Sequence, residues 1–136
     1  MIVADTNVIA ALILGGERHL EASRAFERDP RWTAPRLWKS EFCDVLASTM
    51  RIQGLPFATA LEAIERAQSL LVTAPTEPTP EAILRLAEAS GASAYDCEYV
   101  ALADLLDLPL VTADRKLAER FPARAVKLAE FAAAAP

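Results

Sequence analysis

The spacing of apolar positions changes along the chain, and each change marks an element. Ile2-Val3-Ala4 is a short apolar run ending at Asp5, which predicts a buried strand. Val8 to Leu14 continues as a helix that stops at Gly15-Gly16. His19 to Arg28 is amphipathic, with Leu20, Ala22, Ala25 and Phe26 on its apolar side, and Asp29-Pro30 breaks it. Arg31 to Ala34 reads as a strand closed by Pro35. From Leu37 to Ile52 the apolar residues Trp38, Phe42, Val45, Leu46 and Met50 recur at helical spacing, ending near Gly54. A further helix starts around Pro56 and runs through Leu61, Ile64 and Ala67, and a strand follows near Leu70 to Thr73.

Ala74 to Pro80 carries three prolines in seven residues and is read as a loop within one domain, residues 1–136. Helices are then predicted over Glu81 to Ser90 and Ala94 to Leu106, a strand over Pro109 to Thr112 and a short helix over Arg115 to Phe121. Ala125 to Leu128 is the last strand, and the alanine-rich tail after Phe131 is open between helix and frayed end. Alternating strands and helices imply an α/β fold: a mostly parallel sheet of about five strands, covered on both faces. In such sheets ligands bind beyond the carboxyl ends of the strands, at a topological switch point.

That rule groups the acids. Asp5 ends the first strand, and Asp114 follows Leu110-Val111-Thr112 with only Ala113 between. Asp96 lies in the first turn of its helix, in line with Val100 and Ala103, and Glu41 lies early in its helix, in line with Leu37 and Val45. Carboxylates leaning on apolar surface are costly unless their charge is compensated. Magnesium or manganese, which prefer oxygen ligands, would compensate it. Each acid also has a local reading. Asp5 or Asp114 caps the helix that follows, Ser93-Ala94-Tyr95-Asp96 resembles a capping box, and Glu41 suits a helix's first turn. Convergence of all four on one sheet edge favours a site. Asn7 and Thr112 are placed to hydrogen-bond the carboxylates from behind. Arg36, Lys39, Arg115 and Lys116 are candidate phosphate contacts, and ordinary solvated helix charges are the alternative. Trp38 and Tyr95 are read as packing residues.

Composition trims the options. Hydrophobic residues make up 53% of the chain and charged ones 24%, a balance that suits a soluble globular domain. No apolar run approaches the roughly 20 residues of a membrane span, and the first residues show no basic segment of a secretory signal. Cys43 and Cys97 have no partner at metal-ligand spacing and are read as reduced core residues, as expected in the cytoplasm. The single histidine, His19, is assigned to the surface, so a His-rich zinc centre lacks material. A net charge of −5 opposes nucleic-acid binding. Without the four site acids, 15 acidic residues face 14 basic ones, and a bound cation would reverse the field locally.

These motifs resemble the PIN-domain ribonucleases, and among them the VapC-type toxins of toxin–antitoxin systems. The matching residues are Ile2-Val3-Ala4-Asp5-Thr6-Asn7, Glu41, Ser93-Ala94-Tyr95-Asp96 with Tyr99 to Ala103, and Leu110-Val111-Thr112-Ala113-Asp114. The resemblance implies a three-layer α/β/α domain and a metal-dependent endoribonuclease using Asp5, Glu41, Asp96 and Asp114. It also implies one or two Mg2+ or Mn2+ ions, homodimerisation, and inhibition by an antitoxin. Glu98 or Asp104 is an alternative contributor near Asp96, and a non-toxin PIN nuclease is the nearest functional alternative. Two further readings differ in class. Asp5-Thr6-Asn7-Val8 partly resembles the nucleophile motif of haloacid-dehalogenase-like phosphatases, but Asn7 stands where their second Asp is required. A non-catalytic binding module would have no evident need for the four acids. Carboxylates this close are expected to show raised pKa values without a metal.

Overall fold

The computed structural model describes residues 1–134. Its elements, in chain order, are β1 (Ile2–Ala4), α1 (Thr6–Leu14), α2 (His19–Arg28), β2 (Trp32–Ala34), α3 (Leu37–Gln53), α4 (Phe57–Leu70) and β3 (Val72–Thr73). They continue as α5 (Pro80–Ser90), α6 (Ala94–Leu106), β4 (Leu110–Thr112), α7 (Arg115–Arg120), β5 (Ala125–Lys127) and α8 (Leu128–Ala133). The five strands form one sheet in the order β3-β2-β1-β4-β5, and every pairing is parallel. Parallel strands need crossover connections, and here helices supply them.

The chain starts in the centre of the sheet at β1, builds outward through β2 and β3, then returns to add β4 and β5 on the other side. The reversal places the switch point between β1 and β4, where Ala4 lies opposite Val111. The β1, β2 and β4 residues are buried, which is why their sequences are apolar apart from Thr33 and Thr112. Helices flank the sheet. α1 packs against α2, α3 and α4, α2 against α8, and α5 against α6, which lies on β1 and β4. The result is the expected three-layer α/β/α sandwich.

Burial decides which helical residues hold the frame. Phe42 and Leu46 anchor α3 to the core. Truncating such a phenylalanine to alanine costs about 3–5 kcal/mol, so α3 cannot readily lift away from the core. Gly54 ends α3 at φ 70°, a left-handed conformation that lets its N–H reach the Met50 and Thr49 carbonyls. The proline-rich stretch is a loop whose last residue, Pro80, becomes the first of α5, capped by Thr79.

Several expectations shift. Leu70 ends α4 instead of starting a strand, and Leu128 opens α8 instead of closing β5. Leu20 is 60% exposed, so it adds nothing to the apolar side of α2, which rests on Ala22, Ala25 and half-buried Phe26. Cys97 is buried as expected, but Cys43 is exposed. One helical step from Phe42 turns its side chain about 100° away from the core. Trp38 is half-buried, and the fully buried indole is Trp32, met edge-on by Phe26 at 5.4 Å. The tail is helical through Ala133, and Ala135 and Pro136 lie outside the described residues. Among the described residues no helix is long and apolar enough to cross a membrane.

Candidate active site

Asp5 sits one residue past β1, at the switch point. Its backbone N–H extends the ladder to the Val111 carbonyl at 3.0 Å, which brings its side chain beside Thr112. The Thr112 hydroxyl, fully buried, donates to Asp5 Oδ2 at 2.7 Å and accepts from the Asp114 backbone N–H at 3.0 Å. One threonine thus ties two acids together across the β1–β4 junction. Asp5 Oδ1 accepts from the Thr6 N–H at 2.8 Å, so Asp5 is also the N-cap of α1. Asn7 is exposed and sits above it. Its amide donates weakly to Asp5 Oδ2 at 3.4 Å, while its carbonyl oxygen accepts from the Ala113 N–H at 3.1 Å. Thr112 therefore supports Asp5 from the buried side, as expected, whereas Asn7 meets it weakly from the cavity side.

Asp114 caps α7, its Oδ1 accepting from the Lys116 and Leu117 N–H groups at 2.9 and 3.3 Å. Ser93 caps α6, accepting from the Asp96 N–H at 3.1 Å, which sets Asp96 in the first helical turn. Asp5 and Asp114 are thus helix caps and also line the cavity described below, so the capping reading does not compete with the site reading. A helix cap at a strand's carboxyl end already holds a carboxylate over the sheet edge.

All four acids line one cavity of about 600 Å3. Asn7, Ser40, Asp44 and Tyr95 line it too, along with Thr6, Leu37 and Val45. Leu37, Glu41 and Val45 face it along one stripe of α3, as their spacing predicts. The cavity carries unbalanced negative charge. Burial pushes the Asp5 carboxyl up to about 6, against hydrogen bonds from Thr112 and Thr6, and the charges of Glu41 and Asp96 add to the rise. Asp96 is raised by burial, by Asp114 and by Glu41, and Arg120 at the end of α7 pulls it back down. The rise expected of close carboxylates is found at Asp5 and Asp96, with burial as its largest cause.

The donor set is all oxygen, and two of its carboxyls are held above their ordinary range by burial, with neighbouring charge adding to the rise, which fits a hard divalent cation. Among the described residues, however, no three acidic, histidine or cysteine side chains already stand in cation-holding geometry.

Other assignments change. Tyr95 does not pack in the core: it is 63% exposed and forms part of the cavity wall. Asp104 pairs with Arg124 at 2.8 Å, and Glu98 does not line the cavity. The four candidate phosphate contacts also stand outside it. Arg36 and Lys39 border a second cavity with Trp38 and Glu77, and Arg115 pairs with Glu119 at 3.3 Å. The Lys116 side chain is exposed beside the site. His19 is exposed, as expected.

Sequence reasoning missed Asp44 and Ser40, although both fall within one α3 stripe with Leu37 and Glu41. It also gave no role to Thr6 or Tyr99, which bond to Glu41. Nothing local marks the Tyr99 contact, because its partner lies 58 residues away.

Comparison with known proteins places this geometry in a family. The chain is 33% identical over 135 residues to ribonuclease VapC3 of Pyrobaculum aerophilum, spanning 90% of this chain and 95% of that protein. A crystal structure from Pyrobaculum aerophilum superposes with a TM-score of 0.75 at 22% identity, covering 98% of this chain and 97% of that one. A chain of a toxin–antitoxin complex from Klebsiella pneumoniae superposes with a TM-score of 0.69 at 18% identity, covering 94% and 98%. These two likenesses establish the fold. The PIN domain family model matches residues 2–121, and with the close relative it shows that this chain belongs to the PIN domain family.

Proposed function

We propose that this chain is a metal-dependent endoribonuclease that hydrolyses RNA phosphodiester bonds, and that it is the toxin of a type II toxin–antitoxin pair. The observation that carries the reading is the gathering of Asp5, Glu41, Asp96 and Asp114 around one cavity at the switch point of a PIN-type sheet. The relative named as a ribonuclease supports the reaction class. The Klebsiella chain, which comes from a toxin–antitoxin complex, supports the antitoxin partner. We extend the reading to a single domain over residues 1–136, a homodimer, and a cytoplasmic setting in which Cys43 and Cys97 stay reduced.

Asp5, Glu41, Asp96 and Asp114 would hold one or two Mg2+ or Mn2+ ions. When bound, such an ion activates water for attack on phosphorus and offsets charge on the leaving oxygen. The protein's own work is preorganisation. Thr112 and the Thr6 N–H fix both oxygens of Asp5, and the α7 cap fixes one oxygen of Asp114. Substrate charge is met by flanking cations. Arg36, Lys39, Arg115 and Lys116 are proposed to contact phosphates away from the reacting group, and Arg120 stands nearest Asp96 electrostatically. The exposed Tyr95 ring on the cavity wall is a surface against which a base can stack.

The test is cleavage of a structured RNA by purified protein, with and without Mn2+, beside Asp5→Ala. Cleavage by the wild type with Mn2+ alone, lost in the variant, is expected. Cleavage that persists in EDTA, or survives in Asp5→Ala, would overturn the assignment.

A further inference from the structure

Glu41 is held differently from the other three acids, and the hold crosses between helices. The Tyr99 hydroxyl donates to Glu41 Oε1 at 2.6 Å, and the Thr6 hydroxyl lies 3.0 Å from the same oxygen. The two hydroxyls are themselves 2.5 Å apart. Three oxygens therefore form a triangle with only two hydroxyl protons for its three edges. The short Thr6–Tyr99 edge needs one proton, so the other runs to Glu41. The arrangement is a relay that ends on a carboxylate, which makes its last bond charge-assisted and strong. All these contacts fall on Oε1. Among the described residues Oε2 carries no hydrogen bond, and Glu41 is part of the cavity wall.

Tyr99 is suited to hold a neighbour in place. It is 1% exposed, in the interior of α6, three residues after Asp96 and so one turn further along the same helical face. α6 thus contributes an acid to the cavity and a hydroxyl that reaches across to α3. A buried tyrosine can satisfy its hydroxyl on any nearby acceptor. Here the acceptor is a carboxylate on another helix, and Thr6, the residue next to Asp5, joins the same contact.

We propose that Tyr99 is the positioning residue of the acidic centre: its hydroxyl, backed by Thr6, holds Glu41 by one carboxylate oxygen and leaves the other for a divalent cation. The proposal rests on the metal-dependent reading above. Removing this outer hydroxyl should cost Mn2+ affinity on the scale of other outer partners of metal ligands, about 10- to 100-fold.

The experiment is calorimetric titration of Mn2+ into wild type, Tyr99→Phe, Glu41→Ala and the double variant. Phenylalanine keeps the buried ring and deletes only the oxygen. Weaker binding in Tyr99→Phe, with no further loss when that change is added to Glu41→Ala, is the expected result, because the hydroxyl then has no carboxylate to hold. A role in packing alone would lower affinity equally in both backgrounds and would overturn the proposal. So would wild-type affinity in Tyr99→Phe. Wild-type protein that binds no Mn2+ sinks the metal reading and this inference together, whereas intact wild-type binding with an indifferent Tyr99→Phe sinks this inference alone. Should circular dichroism show Tyr99→Phe unfolded, Thr6→Val is put through the same cycle with the same criteria.

Discussion

Asp5 does three jobs with one side chain: it caps α1, anchors Thr112 and lines the cavity. The cost shows in its pKa, pushed by burial up to about 6 from an ordinary 3.8. The sign follows. A buried acid with a raised pKa favours folding in its protonated form, so that contribution is whole below pH 3.8 and is lost as pH rises through about 6. Two pKa units correspond to about 3 kcal/mol of differential stability between acid and neutral pH, taken to order of magnitude. Metal-free Asp5→Asn should therefore melt at a higher temperature than wild type at pH 8, with the advantage shrinking as pH falls below 6. On the proposed metal reading, Mn2+ should raise the Tm of the wild type, and Asp5→Asn should lose that rise. Differential scanning fluorimetry in EDTA and in Mn2+ reads both, and a variant that melts lower than wild type at pH 8 contradicts the argument. At this scale legibility divides by range. Asp5 and Asp114 are visible because each follows an apolar run, and Asp96 because Ser93 precedes it by a helical turn. Thr6 and Tyr99 were not assigned because their bonds to Glu41 join residues far apart in sequence.

Elements carry the acids to the cavity by their ends. Three of the four depend on a helix start: Asp5 and Asp114 are caps, and Asp96 is set by the Ser93 cap of α6. Replacing Ser93 with alanine should cost about 1 kcal/mol through the lost cap. Because the frayed turn contains Asp96 and leads into Tyr99, Mn2+ affinity should fall with it. Urea denaturation and Mn2+ titration measure the two losses, and a destabilised variant that keeps full affinity would separate the cap from the site. Element types were readable because the longer helices carry a 3.6-residue spacing over ten or more residues, whereas the strands are short runs closed by Asp5, Pro35 or a following helix start. Orientation was less so. Cys43 and Leu20 sit in genuine helices yet face solvent, because a single step of about 100° separates them from their buried neighbours and apolar character alone does not set the phase. The ends of β3 and β5 also moved, since an apolar leucine serves equally to close a strand or to open a helix.

On the scale of the whole molecule, the order β3-β2-β1-β4-β5 decides that the acids meet. With every pairing parallel, that order places the cavity beyond the carboxyl ends of β1 and β4. The same convergence creates an electrostatic difficulty for a nuclease. The chain carries a net charge of −5, and Asp5, Glu41, Asp96, Asp114 and Asp44 share one cavity wall. On the proposed ribonuclease reading, RNA would bring a row of phosphates to that wall, so without a cation the site should repel it. Neutralising Asp5 and Asp96 to asparagine should then tighten RNA binding in EDTA by several-fold over wild type, even though the double variant should not cleave on the proposed assignment. Raising the salt from about 0.05 M to 0.3 M should narrow the gap, since the Debye length falls below about 10 Å and the carboxylates are increasingly screened. Fluorescence anisotropy with a labelled RNA reads the difference directly. Equal binding by the two proteins in EDTA would mean that the phosphates do not pass over the acidic cavity, and the path of the strand would then have to follow Arg36 and Lys39 instead.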